Sequence, residues 1–202
     1  MDPRNLNAHY IFDKLVLNVS TRRNPEAPWL TSQMVEILGS WLQPTDRGLE
    51  WGAGRSTIWF AKRLAHLTSV ESDAGWHAQV KEMIERNHIA NVTLHNQSSE
   101  PGYVEVVDEI PSNSLNFVLV DGAFARDQCA WRAIPLLKSG GILVIDNIER
   151  YLPSTSHSPS ARRAGESRWD SASWDAFAAE VASWRHIWTS NGVSDTALWV
   201  KP

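Results

Sequence analysis

The chain is nearly without cysteine: Cys129 is the single one in 202 residues. One thiol cannot close an internal disulfide, and no Cys/His group has zinc-ligand spacing. The thiol has apolar neighbours on an expected helix, which suits a buried and inert residue. No apolar run approaches the roughly 18 residues that a membrane-spanning helix needs, so no membrane partner is expected. The opening MDPRNLNAHY lacks a basic segment followed by an apolar one, so no secretory signal is expected and a cytoplasmic protein is. Basic residues are not in excess, since 19 Lys and Arg stand against 23 Asp and Glu for a formal charge of −4. A dedicated nucleic-acid binder needs a basic footprint to neutralise phosphates, so no nucleic-acid partner is expected.

At 43% hydrophobic and 21% charged, the chain can bury an ordinary core. Its length suits about one domain. Tryptophan is abundant, with eleven residues spread along the sequence. Most serve as large core bodies. Trp29 and Trp169 sit beside expected loops and are the candidates for lining an apolar substrate pocket.

Two helices are expected first, over 5–19 and 31–42, the second with Thr31 or Ser32 as N-cap and Pro44 after its end. Short apolar segments bounded by turn residues follow at 47–51, 67–72, 91–96, 114–121 and 141–146, and read as strands. The last two are nearly continuous in apolar residues, as strands buried on both faces are. Helical stretches near 55–65, 75–88 and 126–138 separate them. This alternation predicts an α/β domain with a mostly parallel, doubly wound sheet. Residues 152–168 are rich in Ser, Pro and Arg and form a long loop. A helix near 170–184 and two segments, 186–191 and 195–201, close the chain, with Asn191-Gly192 as a hairpin signal between them. The closing pair predicts an antiparallel last strand.

The most informative segment is Glu50-Trp51-Gly52-Ala53-Gly54-Arg55-Ser56-Thr57, between the first strand and a helix. Glycines there let the backbone turn tightly and approach a ligand closely. Dinucleotide folds use G-x-G-x-x-G at such a turn, but the third glycine would fall at Thr57. Glu50, at the carboxyl end of the strand, would repel a pyrophosphate and suits a cationic ligand group. Glu71 ends the second strand and is placed to accept from both ribose hydroxyls. A nucleoside carrying positive charge instead of phosphate fits this pair, and S-adenosylmethionine is one.

These residues resemble the first motif of the class I S-adenosylmethionine-dependent methyltransferases, E/D-x-G-x-G-x-G, with Ser56 in place of the final glycine. NFVLVDGA at 116–123 and LLKSGGILVIDN at 136–147 resemble the family's fourth- and fifth-strand segments. The resemblance spans roughly residues 46–147 and the closing strand pair. It implies a seven-stranded Rossmann-like methyltransferase fold with an N-terminal helical extension. Residues 1–202 would be a single domain, with the extension at 1–45, the cofactor core at 46–147, a loop at 148–168 able to act as a lid, and a closing helix and strand pair at 169–202. It further implies that Glu50, Gly52, Ala53, Gly54, Ser56 and Thr57 surround the methionine part of the cofactor. Glu71 and Ser72 would take the ribose, Gln97 and Ser98 would lie near adenine, and Asp121 would face cofactor or substrate.

Asp121, Asp146 and Asn147 end adjacent expected strands, an oxygen set suited to a divalent cation such as Mg²⁺. It resembles the metal set of the cation-dependent catechol-type O-methyltransferases, where the metal lowers the pKa of the acceptor hydroxyls. An asparagine at that position also simply caps turns. His157 in the long loop and His95 are candidate bases, His157 first because a lid would carry it over the cofactor. Arg162 and Arg163 could hold an anionic substrate group. Arg126 and Asp127 open a helix. The expected function is methyl transfer from S-adenosylmethionine, to an oxygen of a small molecule. The rivals are a nicotinamide-dependent oxidoreductase and a non-catalytic S-adenosylmethionine-binding protein. Whether the chain acts as a homodimer is left open.

Overall fold

The computed structural model describes residues 10–15, 17, 26–168 and 170–202. Of the expected first helix, residues 10–15 and 17 are helical, and the remainder lies outside the described residues, as does Trp169. Helix α1 (Ser32–Trp41) begins where Thr31 caps it, its side chain accepting from the Met34 amide. Then strands and helices alternate: β1 (Arg47–Trp51), α2 (Arg55–Ala61), β2 (His66–Glu71), α3 (Ala74–Arg86), β3 (Val92–Asn96), α4 (Glu100–Glu105), β4 (Leu115–Val120), α5 (Arg126–Leu136) and β5 (Leu137–Asp146). A 3-10 turn at Ile148–Arg150 starts the long loop. The chain closes with α6 (Ser171–Glu180), β6 (Arg185–Ser190) and β7 (Asp195–Val200).

The seven strands form one sheet in the order β3-β2-β1-β4-β5-β7-β6. Every pair from β3 to β5 is parallel, and β7 runs antiparallel between β5 and β6. This is the doubly wound sheet that the alternation predicts. Successive residues of a strand face opposite sides. Val118 and Val120 of β4, with Leu143 and Ile145 of β5, pack under Cys129 and Ala133 of α5 and Trp174 and Phe177 of α6. Phe117 and Leu119, with Ile142 and Val144, pack on the other face against Met34 and Leu38 of α1 and Trp59 and Phe60 of α2. Both faces are thus sealed, which explains the continuous apolar sequence of 117–120 and 142–145. Among the described residues no helix is long and apolar enough to cross a membrane.

Two elements differ from expectation. Helix α4 falls between the strands expected at 91–96 and 114–121, where no helix was expected. Proline is tolerated in a first turn, where its missing N–H leaves nothing unpaired, and the Ser99 hydroxyl accepts from the Gly102 amide. Strand β5 starts at Leu137 instead of 141, because the Gly140-Gly141 bend lies inside the strand, with Gly140 at φ +77° and hydrogen-bonded to Lys201.

The order of strands reverses between β1 and β4, since the chain runs outward to β3 and returns to β4. In sheets of this kind the crevice for a ligand opens at the carboxyl ends of the strands beside that reversal. The ends of β1, β2, β4 and β5 are therefore the place to look for chemistry.

Candidate functional site

Glu50 lies in the middle of the sheet, paired with Ser69 on one side and Leu119 on the other, and is wholly shielded from solvent. Its Oε1 accepts from the Ser69 hydroxyl at 2.7 Å and from the Thr57 hydroxyl. Its Oε2 has no partner among the described residues. A buried carboxylate oxygen without a donor is costly, and the protein answers by favouring the neutral acid. Burial pushes the Glu50 pKa up to about 7 against the pull of hydroxyls from Thr57, Ser69 and Ser56.

The glycine turn beyond it is dictated by backbone contact. Gly52 has φ +102°, and a Cβ there would lie 2.7 Å from the Asp121 carbonyl oxygen. Only glycine permits this approach. The Gly52 amide bonds Val70 O, and the Asp121 amide bonds Trp51 O, so the ends of β1, β2 and β4 are tied together. The Ala53 carbonyl accepts from the Trp76 indole at 2.8 Å, which pins the turn to α3. Thr57, standing where a dinucleotide fold would need glycine, accepts from the Gly54 amide at 2.9 Å while donating to Glu50. It is fully buried, so it supports Glu50 from behind.

Glu71 ends β2 as expected. Its Oε1 accepts the amides of Ser72 at 2.7 Å and Asp73 at 2.8 Å and the Ser72 hydroxyl at 3.3 Å. Oε2 takes none of these three bonds. Gln97 follows β3 beside it, its amide bonding Glu71 O at 2.8 Å, with exposed Ser98 next in the chain. The structure therefore brings Glu50, the Gly52–Ser56 turn, Glu71, Gln97 and Asp121 to one edge of the sheet.

Asp121, Asp146 and Asn147 also meet, but they do not fit a divalent cation as the sequence led us to expect. The cation among them is Arg126, from the start of α5. Its guanidinium bonds Asp121 Oδ1 and Asp121 O, each at 3.0 Å, Asp146 O at 2.6 Å, Gly122 O at 2.6 Å and, weakly, Asn147 Oδ1 at 3.5 Å. The Asp146 side chain is turned to β7, where its Oδ1 accepts from Thr196 at 2.6 Å. Burial, and for Asp146 the neighbouring Asp121, raise both carboxyl pKa values above the usual range. Asn147 sits in the left-handed region at φ 52°, at the N-cap position of the 3-10 turn after β5, with no capping bond from its side chain. Among the described residues no three His, Cys, Asp or Glu side chains gather as a metal set. Sequence reading took Arg126 only as the opening of a helix and missed this role, which depends on its side chain folding back over the two strand ends.

The loop at 148–168 is fastened in many places, unlike a free lid. Glu149 is fully buried and accepts from Ser160 Oγ at 2.8 Å and the Asp195 amide at 3.0 Å. Arg162 grips Asp175 of α6 with two bonds of 2.8 and 3.1 Å and also bonds Tyr151 O and Glu166 O. Its guanidinium thus makes four bonds within the protein, and Arg163 gives one to Ser156 O at 2.7 Å. His157 is exposed, and its neighbours Ser156 and Ser158 bond Asp195 and Val193 at the start of β7. His95 is half-buried on β3. Trp29 is 64% exposed, with the Arg55 guanidinium 5.4 Å from its ring centre. Trp51, Trp174 and Trp199 are core residues.

A family model described as a methyltransferase domain matches residues 49–148. No curated protein matches the chain. Among solved structures, the O-methyltransferase TomG from Streptomyces achromogenes, involved in tomaymycin synthesis and determined in complex with S-adenosylmethionine, is 18% identical with a TM-score of 0.61, and all of each chain is covered. Precorrin-6y C5,15-methyltransferase from Geobacter metallireducens is 14% identical at a TM-score of 0.58, covering 84% of this chain and 90% of its own. An rRNA methylase from Streptococcus thermophilus is 11% identical at a TM-score of 0.56, covering 82% and 92%. At such identities these neighbours bear on the fold, and their acceptors differ from one another.

Proposed function

We propose that the chain is a class I S-adenosylmethionine-dependent methyltransferase, which the methyltransferase-domain match over residues 49–148 supports, and that it methylates an oxygen of a small-molecule acceptor. The observation that carries the cofactor reading is the unpartnered, buried Oε2 of Glu50. A carboxylate so placed calls for a cationic partner, which the methionine ammonium would be. A phosphate-bearing dinucleotide would meet repulsion there, so this residue disfavours the oxidoreductase reading. Glu50 is wholly shielded from solvent, so a cation that reaches it is bound away from water.

S-adenosylmethionine supplies a methyl already activated by a positively charged sulfur. The protein's work is alignment, exclusion of water and removal of a proton. In this reading Glu50, through Oε2, orients the methionine end. Gly52, Ala53, Gly54 and Ser56 form the close wall, and Thr57 holds Glu50. Glu71, with Ser72, accepts from the ribose, and Gln97 and Ser98 border the adenine. Asp121 and His157 are assigned the acceptor side, where a proton must leave. An oxygen acceptor is supported by TomG, an O-methyltransferase aligned over the full length of both chains. A small acceptor is supported by the mild net acidity, which gives a polyanion little overall attraction.

Calorimetry with S-adenosylhomocysteine tests the cofactor half. Glu71→Ala is expected to weaken binding by about 1–3 kcal/mol, the cost of losing a charged acceptor. Unchanged affinity refutes the ribose assignment. Transfer from methyl-labelled cofactor to a panel of phenols and alcohols tests the acceptor half. Methylation of nitrogen, protein or RNA alone would refute it, and binding without any transfer would favour a non-catalytic binder.

A further inference from the structure

We propose that Arg126 is a built-in cation at the ends of β4 and β5, occupying the place of a divalent metal, so that cofactor binding and methyl transfer here need no metal. A guanidinium has five N–H donors in a fixed fork. Here five oxygens receive them: Gly122 O, Asp146 O, Asn147 Oδ1, Asp121 O and Asp121 Oδ1. The side chain is only 12% exposed, so the fork is held by protein on nearly every side.

A divalent ion held by the side chains of Asp121, Asp146 and Asn147 would take their oxygens at about 2.0–2.6 Å, and Arg126 already contacts Asp121 Oδ1 and Asn147 Oδ1. It would have to displace the guanidinium, because two cations cannot share the pocket without strong repulsion. One Asp146 side-chain oxygen is further committed to Thr196. The cluster therefore has its positive charge covalently supplied by α5. Arg126 acts through Asp121 and the strand ends, with no donor left over for an acceptor molecule. It is a positioning residue, and the proposal refines the methyltransferase reading by removing metal-bound chelation of vicinal hydroxyls from the acceptor's requirements.

Manganese binding to the full chain tests this without using activity, so its outcome is separate from that of the methyltransferase reading. Free Mn²⁺ is counted by electron paramagnetic resonance. The unaltered protein is expected to leave the Mn²⁺ signal undiminished. Arg126→Ala is expected to bind one Mn²⁺ per chain and to melt at higher temperature when Mn²⁺ is added, as binding to the folded state requires. Adding Asp146→Asn to that variant should abolish both effects. If the unaltered protein binds one Mn²⁺ per chain and Asp146→Asn removes it, the proposal is overturned. It is equally overturned if folded Arg126→Ala binds none. Should Arg126→Ala not fold, the unaltered protein and its Asp146→Asn variant still decide the matter. Where an acceptor has been found, turnover should survive prolonged dialysis against EDTA.

Discussion

Glu50 concentrates the cost of the site in one side chain. Its ordinary pKa is 4.5, and in the fold it is about 7, through burial. Between those values the folded protein keeps a proton that the unfolded chain has released. This contribution to stability is complete below about pH 4.5 and is lost as pH rises through about 7, on the order of 3 kcal/mol in total. The ligand-free protein should lose about 1 kcal/mol between roughly pH 6 and pH 8, a few degrees in melting temperature. Glu50→Gln should remove that part of the slope, as thermal melts at several pH values would reveal. An unaltered slope would mean that Glu50 is ionised throughout. A cationic ligand must draw the carboxylate form, so binding of S-adenosylhomocysteine near pH 7 should release a fraction of a proton. Calorimetry in buffers of different ionisation enthalpy measures it. Glu50 and Glu71 were legible in the sequence because a strand end followed by a turn fixes where such side chains stand. Arg126 was not, since it reads as a residue that opens a helix, and nothing near it in the sequence reports that its side chain turns back to the ends of β4 and β5.

At the scale of elements, the strands were readable because each is a short apolar run closed by turn residues, and β1 lies at 47–51 as expected. Helix α4 was hidden because proline and glycine carry opposite meanings inside a helix and at its first turn. The long loop was hardest. Its Ser- and Arg-rich composition signals solvent exposure, yet Ser158 and Arg162 are buried and bond backbone and carboxylates. Polar residues that bond one another across a chain fold look, in sequence, like polar residues facing water. The prediction at this scale concerns Arg162. Arg162→Ala removes the four hydrogen bonds of a buried guanidinium and should destabilise the protein by about 2 kcal/mol in urea unfolding. Affinity for S-adenosylhomocysteine should stay within about twofold, a difference of roughly 0.4 kcal/mol. A large loss of affinity with stability intact would instead make the loop part of the binding surface.

For the whole molecule, the layout follows from a single rule. Strands apolar on both faces must be covered twice, and helices between parallel strands supply both covers. That much was legible, as was the antiparallel close of the sheet. The order of strands is a long-range fact, and it fixes the crevice beside β1 and β4. The tight packing of β7 gives the prediction here. Ala197 and Leu198 are fully buried, and Thr196 bonds Asp146 across strands. Deleting residues 195–202 should abolish cooperative unfolding and leave aggregating protein, detectable by circular dichroism and size-exclusion chromatography.

Strand β7 is threaded between β5 and β6, although it follows both in the chain. On the ribosome, β5 therefore emerges with its outer edge bare and waits about 50 residues for its neighbour, a delay of several seconds at ordinary translation rates. Through that interval Asp146 has no Thr196 hydroxyl, and a row of backbone donors and acceptors is open to any passing strand. The nascent chain is thus most exposed to mispairing at the very moment when most of its sheet already exists, which makes the bare edge of β5 the natural target for chaperone protection.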